Sequence, residues 1–186
     1  MQPNQPPGQT PQGQTPPEQM YVLQEKLLSL SGDLWIQDAA GNRAFEVDGK
    51  AFTIRRTLIL LDLNGQPLYQ INASLMHIRS TFEIKRGDVV VATVQKALMT
   101  FLRDKFKVVF ADRSELRISG NIWDHEFRAT MNDREVMTAS RRWLSLRGAY
   151  AIRIAPGFDV PLALAIAIAL EQMEIEERGA TTAALS

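Results

Sequence analysis

The chain has 186 residues and carries 21 Lys and Arg against 21 Asp and Glu, a formal charge of zero. That length predicts one domain plus an extension, and the charge balance excludes a generally basic nucleic-acid binder while leaving room for a local basic patch. Cysteine is absent and His77 and His125 are the two histidines, which excludes disulfides, a cysteine nucleophile, thiolate zinc sites and multi-histidine metal centres. No cofactor is expected.

Residues 1–19, MQPNQPPGQTPQGQTPPEQ, stand apart in composition. They hold six of the nine prolines (Pro3, Pro6, Pro7, Pro11, Pro16, Pro17), six glutamines and no large apolar residue after Met1. Such a segment buries too little surface to offset its ordering entropy, so a disordered or polyproline-like tail is expected. A basic start and an apolar stretch are both missing, so it does not read as a secretory signal. The Pro3–Pro6 spacing lacks the flanking cations of a good SH3 ligand.

From Met20 onward, short apolar runs are broken by turn residues about every ten positions. Tyr21–Leu30 turns at Ser31-Gly32-Asp33, Leu34–Ile36 precedes Ala40-Gly41-Asn42, and Ala44–Val47 alternates cleanly. Asp48-Gly49 is a type I′ signal between that run and Ala51–Ile54, and Asn64-Gly65 joins Leu58–Leu63 to Pro67–Ile71. Thr81–Ile84 and Val89–Val94 flank Arg86-Gly87-Asp88, and further strands are predicted at Phe106–Phe110, Glu115–Ile118, His125–Met131, Glu135–Ala139 and Ala149–Ile154. Many short strands at this spacing predict an antiparallel sandwich or barrel. No 20–50-residue period recurs, which disfavours a propeller or solenoid.

One segment differs. Val160–Leu170 is an uninterrupted apolar run that continues into Glu171–Glu177. Its alanines, Pro161 in a first turn and Asp159 as N-cap predict a helix over about 159–177. Large side chains at 162, 164, 166, 168 and 170 spread around it, so it must be buried in protein or lipid. Eleven residues are too few to span a bilayer, which takes about 17–25; a core helix is the expectation, with residues 179–186 a disordered tail.

A barrel followed by one apolar helix resembles the LURP-one-related proteins, kin of the Tubby C-terminal domains and phospholipid scramblases. The likeness rests on Phe45-Glu-Val-Asp-Gly-Lys50, the Asp62–Pro67 hairpin, Leu75–Ile84, and the ending Ala149–Asp159 that leads into the helix. It covers about residues 20–178. The resemblance implies a closed antiparallel barrel of about twelve strands around its buried C-terminal helix. It also implies phosphoinositide binding by analogy with the Tubby branch, or membrane association by analogy with the scramblases.

Headgroup binding needs converging Lys or Arg side chains, with arginine suited to bidentate phosphate contact. The cationic clusters are Lys50 with Arg55 and Arg56, Arg79 with Lys85 and Arg86, Arg103 with Lys105 and Lys107, and Arg141 with Arg142 and Arg147. Arg55, Lys85, Arg86, Lys105, Lys107 and Arg141 are the candidate headgroup ligands. Adjacent Arg55 and Arg56 would face opposite sides of a strand, whereas Lys105 and Lys107 would share one. The plainer reading is a solvated barrel exterior that discourages edge pairing.

His125 between Asp124 and Glu126 has the makings of a general base, but no nucleophile elbow, phosphate loop or HExxH accompanies it. A turn or strand-edge role fits it better, and a packing or strand-surface role fits His77. Asn72-Ala73-Ser74 matches a glycosylation acceptor without a signal sequence to give it access. Trp35, Trp123 and Trp143 are too dispersed for a base-stacking platform. The expectation is a non-enzymatic adaptor, cytoplasmic or peripheral at the membrane, binding an anionic phospholipid or a protein partner, with no nucleic acid and no transmembrane segment. A scramblase-like lipid-handling protein is the alternative.

Overall fold

The computed structural model describes residues 19–24, 34–49, 57–74, 81–97, 104–144 and 148–184. Twelve strands run in chain order: β1 Gln19–Gln24, β2 Leu34–Asp38, β3 Arg43–Asp48, β4 Thr57–Leu61, β5 Pro67–Ala73, β6 Thr81–Arg86, β7 Val89–Lys96, β8 Asp104–Phe110, β9 Glu115–Asn121, β10 Glu126–Met131, β11 Arg134–Ser140 and β12 Ala149–Ile154. Each pairs antiparallel with its sequence neighbours, and β1 also pairs with β12, closing the barrel. Closure leaves no free strand edge among the described residues.

The period-2 pattern explains the wall. Leu58 and Leu60, Ile71, Phe82 and Ile84, Val94, Val108, Leu116 and Ile118 alternate inward and are buried, while the residues between them face out. Helix α1, Val160–Ala184, supplies the centre. Every residue from Ala163 to Leu170 is at most 2% exposed, as is Met173. Burial on all sides means that the strands surround the helix, and each large side chain so enclosed contributes about 1.5–3 kcal/mol.

Several expectations are refined. The helix runs to Ala184, past the predicted end near 177 and through part of the predicted tail, because one Gly179 costs only about 1 kcal/mol amid good helix formers. Asp48-Gly49 does not form a two-residue turn: Asp48 pairs with Ile59 in the ladder, so the chain returns to the sheet much later. Ala51–Ile54 lies outside the described residues, as does the predicted tail, save Gln19 in β1. Glu171, Gln172 and Glu174 look like a solvated end but are buried inside the barrel.

Alternation of direction sorts the connections into two ends. The links β2–β3, β4–β5, β6–β7, β8–β9, β10–β11 and β12–α1 lie where the helix enters; the others lie where it leaves. The entry end is made of tight turns. Asp38, Asp62 and Asp112 each turn a carboxylate onto the following loop: Asp62 Oδ1 accepts from the backbone N–H of Asn64 (2.9 Å) and Gln66 (2.8 Å). Gly65 at φ 76° completes that loop in the left-handed region, so the Asn-Gly signal yields a three-residue hairpin loop.

The entry end is acidic in its turns. The entry-end connections carry Asp62, Asp88, Asp112, Asp133 and Asp159 against Arg113. At the other end the described connections carry Arg141 and Arg142 against Asp124, with Glu171, Glu174 and Glu176 on the departing helix.

Two outcomes follow. Ile166→Asp places an unpaired charge at a 0% exposed site and costs about 3–5 kcal/mol or more; a thermal melt should show no cooperative transition near that of wild type. The turn hydrogen bonds hold three carboxyls below the usual range: Asn42 at Asp38, the Gln66 N–H at Asp62 and Ser114 at Asp112. Because the folded pKa is depressed, this stabilisation is complete above the unfolded carboxylate pKa near about 4 and disappears as pH falls through the folded values. Asp62→Asn should therefore flatten the acid limb of the urea midpoint against pH.

Candidate functional site

The wall near the exit end carries a recess of about 270 Å³ between β9, β10 and β11, with Gly120, Arg128, Thr138, Arg142 and Trp143 in its lining. Gly120 is fixed by close approach: a Cβ there would lie 2.5 Å from the Glu126 carbonyl oxygen, and its φ is 112°. Register assembles the rest. Arg128 lies opposite Ser119 on one side and Thr138 on the other, and Thr138 lies opposite Arg153 of β12. Arg128 and Arg153 are thus outward residues two strands apart, about 10 Å at strand spacing.

The Arg153 guanidinium lies 4.1 Å above the Trp143 ring, an arrangement that holds a cation at the surface without neutralising it. Arg142 is 84% exposed and 3.7 Å from Glu126. Glu126 Oε1 also accepts from Ser140 Oγ (2.8 Å) and the Arg141 backbone N–H (3.1 Å), which pins the start of this connection to β10. Arg128 is exposed and has no hydrogen-bond or ion-pair partner among the described residues. Arg128 and Arg142 therefore line an open recess with Arg153 beside them on Trp143, against the Glu126 carboxylate and a Glu135 carboxylate held on Thr138, a cation-rich arrangement suited to a phosphate or phosphate diester.

A second constellation closes the entry end. Asp159 caps α1, its Oδ1 accepting from the Leu162 N–H at 2.9 Å. Its Oδ2 accepts from Tyr69 Oη (3.0 Å) and Arg86 Nη2 (2.9 Å). The Arg86 guanidinium also contacts the Tyr69 hydroxyl and lies 4.7 Å from the ring centroid. Burial, reinforced by the Asp159 hydrogen bond and charge, pushes the Tyr69 hydroxyl up to about 12. Arg86 braces the helix cap to β5 and β6 through one end of its guanidinium.

The six predicted ligands do not form one cluster. Arg86 sits at the entry end, and Arg141 begins the β11–β12 connection at the other. Lys85 pairs with Glu83 (3.4 Å) and Lys107 with Glu115 (3.0 Å) on the wall. Arg55 and the Lys105 side chain lie outside the described residues. Arg128 and Arg153 were readable as outward residues by alternation, but their proximity depends on register across three strands. His125, 5% exposed, stacks on Tyr150 at 4.2 Å between centroids, and the Tyr150 hydroxyl donates to Glu171 Oε2 at 3.1 Å. His77 lies outside the described residues. Among the described residues no cluster of three or more His, Asp or Glu could hold a metal ion.

A barrel closed around its C-terminal helix defines the class, and the comparisons place the chain within it. The chain belongs to the LURP-one-related family, whose model matches residues 19–171. It is 30% identical over 151 residues to the uncharacterized protein YxjI of Bacillus subtilis, covering 81% of this chain and 91% of that protein. An X-ray structure of an Arabidopsis thaliana protein superposes with a TM-score of 0.63 at 17% identity, covering 84% of this chain and 91% of that one. That likeness concerns the fold alone.

The cap separates two contributions of Asp159. Asp159→Ala loses both the N-cap and the Arg86 pair and should lower stability by about 1–2 kcal/mol. Asp159→Asn keeps a capping oxygen and should lose less than half of that, read from urea midpoints of the two variants.

Proposed function

We propose that this protein is a non-enzymatic module that binds an anionic phospholipid headgroup, resting on a membrane surface through its helix-exit end and the adjoining wall. The observation that carries this reading is the grouping of Arg128, Arg142 and Arg153 around Trp143, three guanidinium groups against the carboxylates of Glu126 and Glu135. Guanidinium groups bind phosphate oxygens bidentately, and an indole suits the boundary between water and hydrocarbon. The five aspartates of the entry-end turns support the same orientation, since an acidic end is repelled by an anionic surface.

In this reading the protein is cytoplasmic and peripheral, and uses neither a cofactor nor nucleic acid. The scramblase-like alternative asks α1 to anchor in lipid. Enclosure of Ala163–Leu170 by the barrel weighs against it, and no helix among the described residues is long and apolar enough to cross a membrane.

The test is co-sedimentation of the full chain with phosphatidylcholine vesicles, with and without phosphatidylinositol bisphosphate, at low and physiological salt. Binding should require the polyanionic lipid and weaken with salt. Arg128→Gln should reduce it about fivefold, the effect of about 1 kcal/mol per surface cation, whereas Lys85→Gln should change little because Lys85 already faces Glu83. Salt-resistant binding to neutral vesicles, or none to any vesicle, would sink the reading.

A further inference from the structure

We propose that the helix-entry mouth of the barrel is a docking groove for the proline-rich segment of this same chain, residues 1–18, held in polyproline II conformation. The proposal does not depend on headgroup binding, which concerns the opposite end.

The mouth holds a recess of about 610 Å³ whose apolar lining includes Pro67, Leu68, Phe158, Val160 and Pro161. Its polar members are already engaged with one another: Arg86 and Tyr69 both bond Asp159. The two hairpins bordering it present Leu63 (59% exposed), Val89 (63%) and Val90 (36%) to solvent. Pro67 begins β5 and Arg86 ends β6, so the hairpin tips that carry these exposed side chains adjoin the recess.

The occupant follows from where the tail joins the barrel. Gln19 of β1 pairs with Ile154 of β12, and Ile154 is the last strand residue before the turn into α1. Residues 1–18 therefore depart from the same end as the recess. From β1 to β5 is four strand spacings, about 19 Å along the wall. An extended polyproline segment covers that in about six or seven residues at about 3.1 Å each, well within eighteen.

The chemistry matches as well. Residues 1–18 contain six prolines and one charged side chain, Glu18. Proline rings pack on apolar and aromatic surfaces, and the solvated carbonyls of a polyproline II helix accept hydrogen bonds. Arg86, its side chain 61% exposed, retains N–H groups to donate. An anionic membrane is the wrong occupant, because the turns around this mouth carry five aspartates against one arginine.

The absence of cysteine makes the test direct. Gln9→Cys in the full chain gives a unique attachment point for a nitroxide spin label, read by loss of amide NMR intensity. Docking predicts that Leu68, Arg86 and Phe158 lose most of their intensity while the Asp38–Asn42 and Asn132–Asp133 turns keep theirs. Replacing Pro11, Pro16 and Pro17 with alanine in the labelled chain, which leaves the barrel untouched, should restore the lost signals. Val89→Asp should do the same from the groove side. Losses spread evenly around the mouth, losses unchanged in the alanine variant, or no losses would each overturn the proposal.

Discussion

A helix with large apolar side chains on every side has no stable exterior position in water. Leu164, Ile166, Ile168 and Leu170 point in different directions, and all are fully buried. A single sheet covers one face and leaves the rest wet; a wall closed through the β1–β12 pair covers all of it. The inward residues of the strands and the helix form one hydrophobic cluster, so the interior is occupied by the protein itself. Whatever this barrel binds, it binds on its outer wall or at its ends.

The two ends of the helix are held differently. At entry, one side chain does three jobs: Asp159 caps the backbone, accepts from Tyr69 and pairs with Arg86. At the other end the sequence turns polar while still enclosed, and Glu171 bonds the Tyr150 hydroxyl beneath the stacked His125 ring. Burying a carboxylate is costly unless its oxygens are satisfied. The Tyr150 hydroxyl satisfies Glu171 Oε2, and this bond ties α1 to β12.

Much of this architecture was legible in the chain. Alternation marked nearly every strand, because an inward residue must recur every second position when one face is sealed. Turn residues marked most boundaries, and the all-apolar run announced that something had to surround it. Other features were hidden for physical reasons. Asp48-Gly49 has the composition of a tight turn, but Asp48 pairs on toward Ile59, and ladder continuation outweighs a local turn preference. Glu171 and Glu174 carry the composition of a solvated helix end, and their burial depends on how far the wall extends along α1. The grouping of Arg128 with Arg153 lies in register, which places residues distant in sequence side by side.

The electrical layout depends on the same antiparallel order. A neutral total of 21 against 21 would suggest a surface indifferent to charged partners. In an up-and-down barrel, however, successive connections alternate between ends, and here five aspartates fall in the turns and the helix cap of one end while Arg128, Arg142 and Arg153 group toward the other. Opposite charges separated along a barrel cancel in the sum but not in the field close to either end, where screening over about 8–10 Å keeps the far end out of reach. The apolar entry mouth is thus bordered by acidic turns while the arginine recess lies toward the opposite end, so the two surfaces differ in charge.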